Sequence, residues 1–160
     1  MAENTSSKAA SPEGERIAKV LSRRGVASRR EAERLIKEEL MGGRPTYGWL
    51  GEETGVTEGQ DPTRRWVVDP LDGTTNFLHG LPHWAVSIAL EHKGEIVSAV
   101  VYDAAKDEMF WAEKGAGAWM NDQRIRVSGR RHMTEAIFAT GIPFGAKIPF
   151  VDHLGFTLEK

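Results

Sequence analysis

The sequence Trp66-Val67-Val68-Asp69-Pro70-Leu71-Asp72-Gly73-Thr74-Thr75-Asn76-Phe77 contains the strongest structural signal in the chain. Its two valines predict a short buried strand that runs into Asp69. Because Pro70 has no N–H to donate, we expect the ladder of that strand to end there. Asp72 and the small oxygen-bearing residues after it are typical of a helix start, where short polar side chains cap the first turn.

The two aspartates lie three residues apart at this junction between a strand and a helix. Carboxylate oxygens hold hard cations such as Mg²⁺, and the free N–H groups of a first helical turn hold phosphate. A metal ion beside a phosphate is the arrangement of a phosphoryl-transfer site. An Asp-x-x-Asp pair alone is more often a plain turn, because Asp-Pro and Asp-Gly are common turn-forming dipeptides.

The whole string from Asp69 to Phe77 resembles the first signature of the inositol monophosphatase family, which are magnesium-dependent, lithium-inhibited phosphatases. Upstream, Gly51-Glu52-Glu53-Thr54 is similar to the motif that accompanies this signature, although a Glu pair at a strand end is usually only solvated. The resemblance covers residues of about 44–158, the N-terminal half of the family. Haloacid-dehalogenase phosphatases are excluded, because their nucleophilic Asp would stand at Pro70.

The resemblance implies two Mg²⁺ ions and a water nucleophile. Asp69 would bridge the ions, while Glu52 and Thr74 would position the water. The implied metal ligands are Glu52, Asp69, the Leu71 carbonyl and Asp72. The implied substrate-binding residues are Asp72, Gly73, Thr74 and Thr75. The substrate would be inositol-1-phosphate or a related sugar or polyol phosphate.

The residues before this region predict a different origin. Residues 1–14 are small and polar and predict a disordered tail, and residues 15–40 predict a basic helical hairpin. Its second helix would begin with the capping box Ser28-Arg29-Arg30-Glu31, and its inner face would be Ala32, Leu35, Ile36 and Leu40. Residues 14–38 resemble the opening of the RNA-binding domain at the front of pseudouridine synthases. By that resemblance RNA phosphates would bind Arg29, Arg30 and Arg34; the alternative is a solvated surface, since nearby glutamates offset the charge.

The predicted fold class is α/β, with a mostly antiparallel sheet of five to seven short strands in residues 44–160 and few helices. The family implies that this sheet is the truncated first half of an α/β sandwich. Its own opening helices, with early acidic residues near an auxiliary metal, have no counterpart here. A polar connection is expected over Val56–Arg65. The predicted strands are Tyr47–Gly51, Trp84–Leu90, Ile96–Tyr102, Glu108–Ala112, Arg124–Ser128 and Ala136–Thr140.

Composition limits the remaining function classes. The formal net charge of −2 gives no general attraction to nucleic acid or membranes. The absence of cysteine excludes thiolate nucleophiles, disulfides and zinc–thiolate sites. No apolar run approaches membrane-spanning length. We therefore expect a cytoplasmic protein with a small phosphorylated substrate, a possible homodimeric state and no membrane partner.

The family's second half supplies a further metal-binding Asp in a Trp-Asp motif, and none of the five tryptophans here is followed by Asp. We therefore expect phosphatase activity near background, and an uncovered apolar sheet face that favours association. Two other functions stay open: an RNA-binding fragment that acts through the basic helices, or a non-catalytic chimeric fragment.

Overall fold

The structure, a computed structural model, describes residues 28–137. The chain divides into two units, Met1–Arg126 and Val127–Lys160, and the described part of the second unit contains one short 3-10 helix, Met133–Glu135. In the first unit the elements, in chain order, are α1 (Arg29–Gly43), β1 (Tyr47–Gly51), β2 (Gly55–Thr57), β3 (Asp61–Asp72), α2 (Thr74–Leu78), β4 (Ala85–His92), β5 (Glu95–Asp103), β6 (Glu108–Glu113), β7 (Gly117–Met120) and β8 (Gln123–Ile125).

The eight strands form one sheet in the order β2-β1-β3-β4-β5-β6-β7-β8. Neighbouring strands are antiparallel, except that β1 and β3 run parallel. The predicted fold class, a mixed fold with a mostly antiparallel sheet and few helices, is confirmed. None of the helices within residues 28–137 has the length and apolar character needed to cross a membrane.

The predicted polar connection over Val56–Arg65 is wrong, and this accounts for the extra strand. Part of it forms β2, and part forms the beginning of β3. The beginning of β3 pairs with the end of β4, and there Arg65 Nη2 contacts Glu91 Oε2 at 2.9 Å across the two strands. An ion pair therefore supports strand pairing here in place of an apolar alternation.

The β3 strand also continues past Pro70, where it was expected to end. Its pairing with β4 is regular up to Asp69–Ser87, becomes irregular, and resumes at Asp72–Ala85. Pro70 lies inside this irregularity, which is where a sheet tolerates a residue with no N–H.

Helix α1 supplies one side of the core. Ser28 is its N-cap, and its Oγ accepts from the Glu31 N–H at 3.2 Å, as predicted from the capping box. The helix packs against β3. The predicted inner face is confirmed: Leu35 is partly buried, and the other three residues are buried. The buried core consists of Ala32, Ile36, Leu40, Trp49, Val68, Val86, Ile88, Val100, Tyr102 and Met109.

The opposite face of the sheet carries a continuous apolar row, which we call the alanine row. Its members are successive cross-strand partners from β3 to β8, and none belongs to the buried core. They are Val67, Ala89, Ala99, Ala112, Ala118 and Ile125.

Several predictions fall at or beyond the ends of the described residues. The tail and the first helix of the hairpin lie outside them. The strand expected at Arg124–Ser128 ends at Ile125. Of the strand expected at Ala136–Thr140, the two described residues, Ala136 and Ile137, belong to no strand.

Candidate functional site

The ends of two parallel neighbouring strands bring the predicted site together. In the β1–β3 register Gly51 is the partner of Val68, so the next residues, Glu52 and Asp69, leave the same edge of the sheet. The Glu52 N–H donates to the Val68 carbonyl at 3.1 Å, which extends the pairing by one residue. The sequence motifs 17 residues apart therefore meet because the strands are parallel.

A turn after Asp69 positions the other predicted residues. Asp69 Oδ1 accepts from the Leu71 N–H at 2.9 Å, and the Thr74 hydroxyl contacts the Leu71 carbonyl oxygen at 3.0 Å. Because a carbonyl can only accept, Thr74 must donate its proton in this contact. The Thr74 oxygen is therefore left with its lone pairs available toward the rest of the site.

The helix start differs from the prediction. Gly73, rather than Asp72, is the N-cap of α2, and no side chain caps this five-residue helix. Gly73 has φ of +86°, and a Cβ there would lie 2.9 Å from the His83 carbonyl oxygen, so the turn requires glycine. Asp72 is exposed at the end of β3. Thr75 follows Thr74 in the first turn of the helix.

Glu33 is part of the site's support and was not identified from the sequence. Its side chain is completely buried. The carboxylate accepts from the backbone N–H of Glu53 at 2.7 Å and of Thr54 at 3.1 Å, and from the Thr54 hydroxyl. A Cβ on Gly51 would lie only 2.1 Å from Glu33 Oε1, so the strand end can approach this carboxylate only with glycine there. The available signal was a charged residue three positions before Ile36, on the apolar side of an amphipathic helix.

The three arginines predicted to bind RNA all contact carboxylates. Arg34 pairs with Glu31 at 2.6 Å and with Glu38 on its own helix. Arg30 Nε lies 3.6 Å from Glu53 Oε2. RNA binding by these residues stays a prediction.

Arg29 extends from the first turn of α1 into the site. Its Nη1 donates to Glu52 Oε1 at 3.0 Å and to Thr74 Oγ1 at 3.3 Å. Its Nε lies 2.8 Å from Glu53 Oε1. A guanidinium group thus connects both predicted water-positioning residues with the neighbouring glutamate.

The electrostatics of the site favour a cation. Partial burial raises the pKa of Glu52, and the Asp69 charge raises it further, while Arg29 lowers it. Burial also raises the pKa of Asp69; the hydrogen bond from the Leu71 N–H lowers it, and the Asp72 charge raises it. Neutralising part of this negative charge would therefore stabilise the ionised carboxylates.

The donor atoms suit a hard divalent ion. We call Glu52, Asp69, Leu71 and Thr74 the carboxylate corner; it offers two carboxylates, a carbonyl and a hydroxyl, and Mg²⁺ commonly binds one or two carboxylates while it keeps several waters. Within residues 28–137 no group of three or more acidic, histidine or cysteine side chains gathers to hold a metal. The corner therefore offers oxygen ligands to a divalent ion, and Asp72 forms no three-carboxylate cluster with Glu52 and Asp69.

Comparison with known proteins gives a consistent result. Residues 26–159 match the inositol monophosphatase family. The chain is 59% identical over 114 residues to an inositol-1-monophosphatase of Rhizobium meliloti, which covers 71% of this chain and 43% of that protein. It is 49% identical over 117 residues to the Nus factor SuhB of Pseudomonas aeruginosa, covering 72% of this chain and 43% of that protein. It superposes on the inositol monophosphatase of Anabaena with a TM-score of 0.69 and 33% identity, covering 74% of this chain and 49% of that chain.

These matches bear on two features of the chain. The family match begins at residue 26, so the predicted start near residue 44 is wrong and helix α1 lies inside the match. The resemblance of residues 14–38 to an RNA-binding domain stays a prediction. The chain spans 43% of the length of each of these two curated relatives.

Proposed function

Because the chain belongs to the inositol monophosphatase family, we propose that the carboxylate corner serves Mg²⁺-dependent hydrolysis of a phosphomonoester. The substrate would be inositol-1-phosphate or a related sugar or polyol phosphate. The observation that carries the proposal is the pair of carboxylates at adjoining strand ends, Glu52 and Asp69. Burial raises the pKa of Glu52, and the neighbouring Asp69 charge raises it further. A corner of this kind is stabilised by a cation and presents it to solvent, where a phosphate can reach it.

The metal would be held by oxygen ligands only. Glu52, Asp69 and the Leu71 carbonyl would hold one ion, and Asp72 together with Asp69 would hold a second. When bound, Mg²⁺ supplies charge for the phosphoryl oxygens and makes its water ligand more acidic. This chemistry requires no side-chain nucleophile, so the absence of cysteine is no obstacle.

Glu52 and Thr74 would position the attacking water. Thr74 donates its own proton to Leu71, so its oxygen can accept a hydrogen bond from that water. The Glu52 carboxylate can accept a second hydrogen bond from the same water, and it can take that water's proton as the reaction proceeds. The water oxygen would form the new bond to phosphorus as the ester P–O bond breaks. The leaving alkoxide would take up a proton from solvent water, and Glu52 would return its proton to solvent, giving an alcohol and inorganic phosphate.

The phosphate group would lie at the beginning of α2. The backbone N–H groups of Gly73 and Thr74 and the side chain of Thr75 would donate to its oxygens. The helix start supports this proposal because no side chain caps it, which leaves those donors for a ligand.

The direct test is release of inorganic phosphate from inositol-1-phosphate, followed over hours at high protein concentration with excess Mg²⁺. We expect slow, Mg²⁺-dependent release that Asp69→Asn abolishes, and a rate well below that of the full-length Rhizobium meliloti relative. The matched control is Asp122→Asn, which changes an exposed carboxyl group in the turn between β7 and β8 and should leave the rate unchanged. Release that persists in Asp69→Asn, or that is independent of Mg²⁺, would contradict the proposal.

A further inference from the structure

Arg29 brings to the carboxylate corner a positive charge that the proposed hydrolysis does not use. A single nitrogen, Nη1, contacts both Glu52 Oε1 at 3.0 Å and Thr74 Oγ1 at 3.3 Å. These are the two acceptors that would position the attacking water. The guanidinium therefore occupies hydrogen-bonding positions that the water and the metal ion both need.

A second contact keeps the guanidinium in place. Arg29 Nε lies 2.8 Å from Glu53 Oε1, and the Glu53 side chain is only 12% exposed. The backbone of Glu53 is itself bound to the buried Glu33 carboxylate at 2.7 Å. Glu53 thus holds Arg29 beside the corner even when Glu52 binds something else, which gives the guanidinium a high effective concentration there.

The contacts of Arg29 with Glu52 and Glu53 join charges of opposite sign. Competition between Arg29 and the metal ion therefore follows from Coulomb's law. A divalent ion at Glu52 would repel the guanidinium at hydrogen-bonding distance, and the guanidinium reduces the negative charge that attracts the ion. Binding equilibria that share a site in this way are reciprocal, so each cation weakens the other by the same factor.

We propose that Arg29 is a tethered cation that competes with the divalent ion and the attacking water for Glu52 and Thr74. The metal must displace Nη1 from Glu52 before the corner can act, and Arg29 therefore sets the metal affinity of the site. This inference rests on the proposed function, because it concerns the same corner.

The test is calorimetric titration of Mg²⁺, with Mn²⁺ as a second ion, into the full chain. We expect Arg29→Gln to bind the ion roughly fivefold more tightly, the upper end of what an exposed ion pair contributes. Arg29→Lys keeps a positive charge but loses the planar guanidinium. Its affinity for the metal ion should lie between those of the wild type and Arg29→Gln.

The matched control is Arg64→Gln. Arg64 pairs with Asp61 at 3.0 Å and is 37% exposed, against 38% for Arg29, but it lies near the beginning of β3, away from the corner. Its removal should leave metal affinity unchanged. Asp69→Asn is run in parallel, because it should abolish binding in every background.

The outcomes separate the two proposals. Equal or weaker binding by Arg29→Gln, with binding still lost in Asp69→Asn, overturns the role of Arg29 and leaves the proposed function standing. Binding that is the same in Asp69→Asn as in the wild type overturns both. If neither the wild type nor Arg29→Gln binds the metal ion, both proposals are overturned.

A measurement on the wild-type chain covers the case in which Arg29→Gln fails to fold. The side-chain Nε–H resonance of Arg29, assigned by its loss in Arg29→Lys, should shift as Mg²⁺ is added, with the midpoint found by calorimetry. The resonance of Arg64 should stay fixed. An Arg29 resonance that does not respond to saturating Mg²⁺ overturns the inference.

Discussion

Glu33 shows how much one buried side chain can do for a site that it does not enter. A carboxylate loses much hydration free energy on burial and is tolerated only where hydrogen bonds replace the lost water. Glu33 receives three such bonds, all from Glu53 and Thr54. Those residues directly follow Glu52, so the carboxylate fixes the loop that presents the corner's first ligand. We therefore regard Glu33 as a positioning residue.

Glu33→Gln should test this role. The amide keeps one acceptor oxygen but replaces the other with a donor that would face an N–H group. We expect the free energy of unfolding to fall by about 1–3 kcal/mol, measured by urea denaturation, together with weaker Mg²⁺ binding. Glu38→Gln changes a glutamate on the same helix that is 61% exposed and should change neither quantity. Wild-type stability and metal affinity in Glu33→Gln would contradict the positioning role.

At the scale of elements, strand β3 depends on polar contacts at its beginning as well as on apolar residues at its centre. Asp61 Oδ1 accepts from both the hydroxyl and the N–H of Thr63, at 2.6 Å and 2.9 Å, and Oδ2 pairs with Arg64. These contacts, with the Thr63 hydroxyl bond the largest, lower the pKa of Asp61 to about 2. The ionised carboxylate therefore helps to hold the strand's first residues in place.

The shift predicts how stability depends on pH. A lowered native pKa contributes stability above the unfolded-state value of about 4, and that contribution is lost as pH falls toward about 2. Asp61→Asn should therefore be less stable than the wild type at pH 7, and the difference should shrink between about pH 4 and pH 2, measured by urea denaturation across that range. Asp122→Asn serves as the control and should follow the wild type. A difference that stays constant with pH would show that the Asp61 charge does not contribute.

The elements also show which features the sequence can predict. The cap and apolar face of α1 were predicted because Ser28, Ile36 and Leu40 act over one or a few helical turns. The course of β3 through Pro70 was missed because the neighbouring β4 supplies the pairing on both sides of an irregularity. The formation of β2 was missed because backbone pairing with β1 stabilises it without an apolar pattern.

In the candidate site too, residues in contiguous motifs were predicted, and residues brought in by tertiary packing were not. Glu52, Asp69 and Thr74 belong to contiguous motifs and were identified from them. Glu33 and Arg29 belong to helix α1, which lies far from the motifs in sequence. They reach the site only because α1 packs against the sheet. The RNA-binding prediction for Arg29 rests on the resemblance of residues 14–38, and no local feature indicates that its guanidinium reaches Glu52 and Thr74.

At the scale of the whole molecule, the second face of the sheet is apolar along the alanine row, and this row does not belong to the buried core. Val101 lies on the same face, because it alternates with the buried Val100 and Tyr102, and its cross-strand partner is Phe110. Val101 is 39% exposed. Contiguous apolar surface of this kind favours association in water, so a homodimer stays our prediction.

Sedimentation velocity over a range of protein concentrations should detect that association. We expect the wild type to self-associate, and Val101→Lys to shift the distribution toward monomer, because burying a lysine charge in the contact costs free energy. Val127→Lys alters an isolated valine that is 96% exposed and should behave like the wild type. A wild-type chain that is monomeric throughout, or a Val101→Lys chain that associates equally well, would contradict the prediction.

The central claim is that the carboxylate corner binds a divalent cation through Glu52 and Asp69, and electron paramagnetic resonance of Mn²⁺ tests it most directly. Free Mn²⁺ gives a sharp signal that is lost on binding, and Mn²⁺ accepts the same oxygen ligands as Mg²⁺. The account predicts that the wild-type chain removes part of the free signal, that added Mg²⁺ restores it, and that Asp69→Asn and Glu52→Gln leave it undiminished while Asp122→Asn behaves like the wild type. Equal loss of signal in the wild type and in Asp69→Asn would contradict the account.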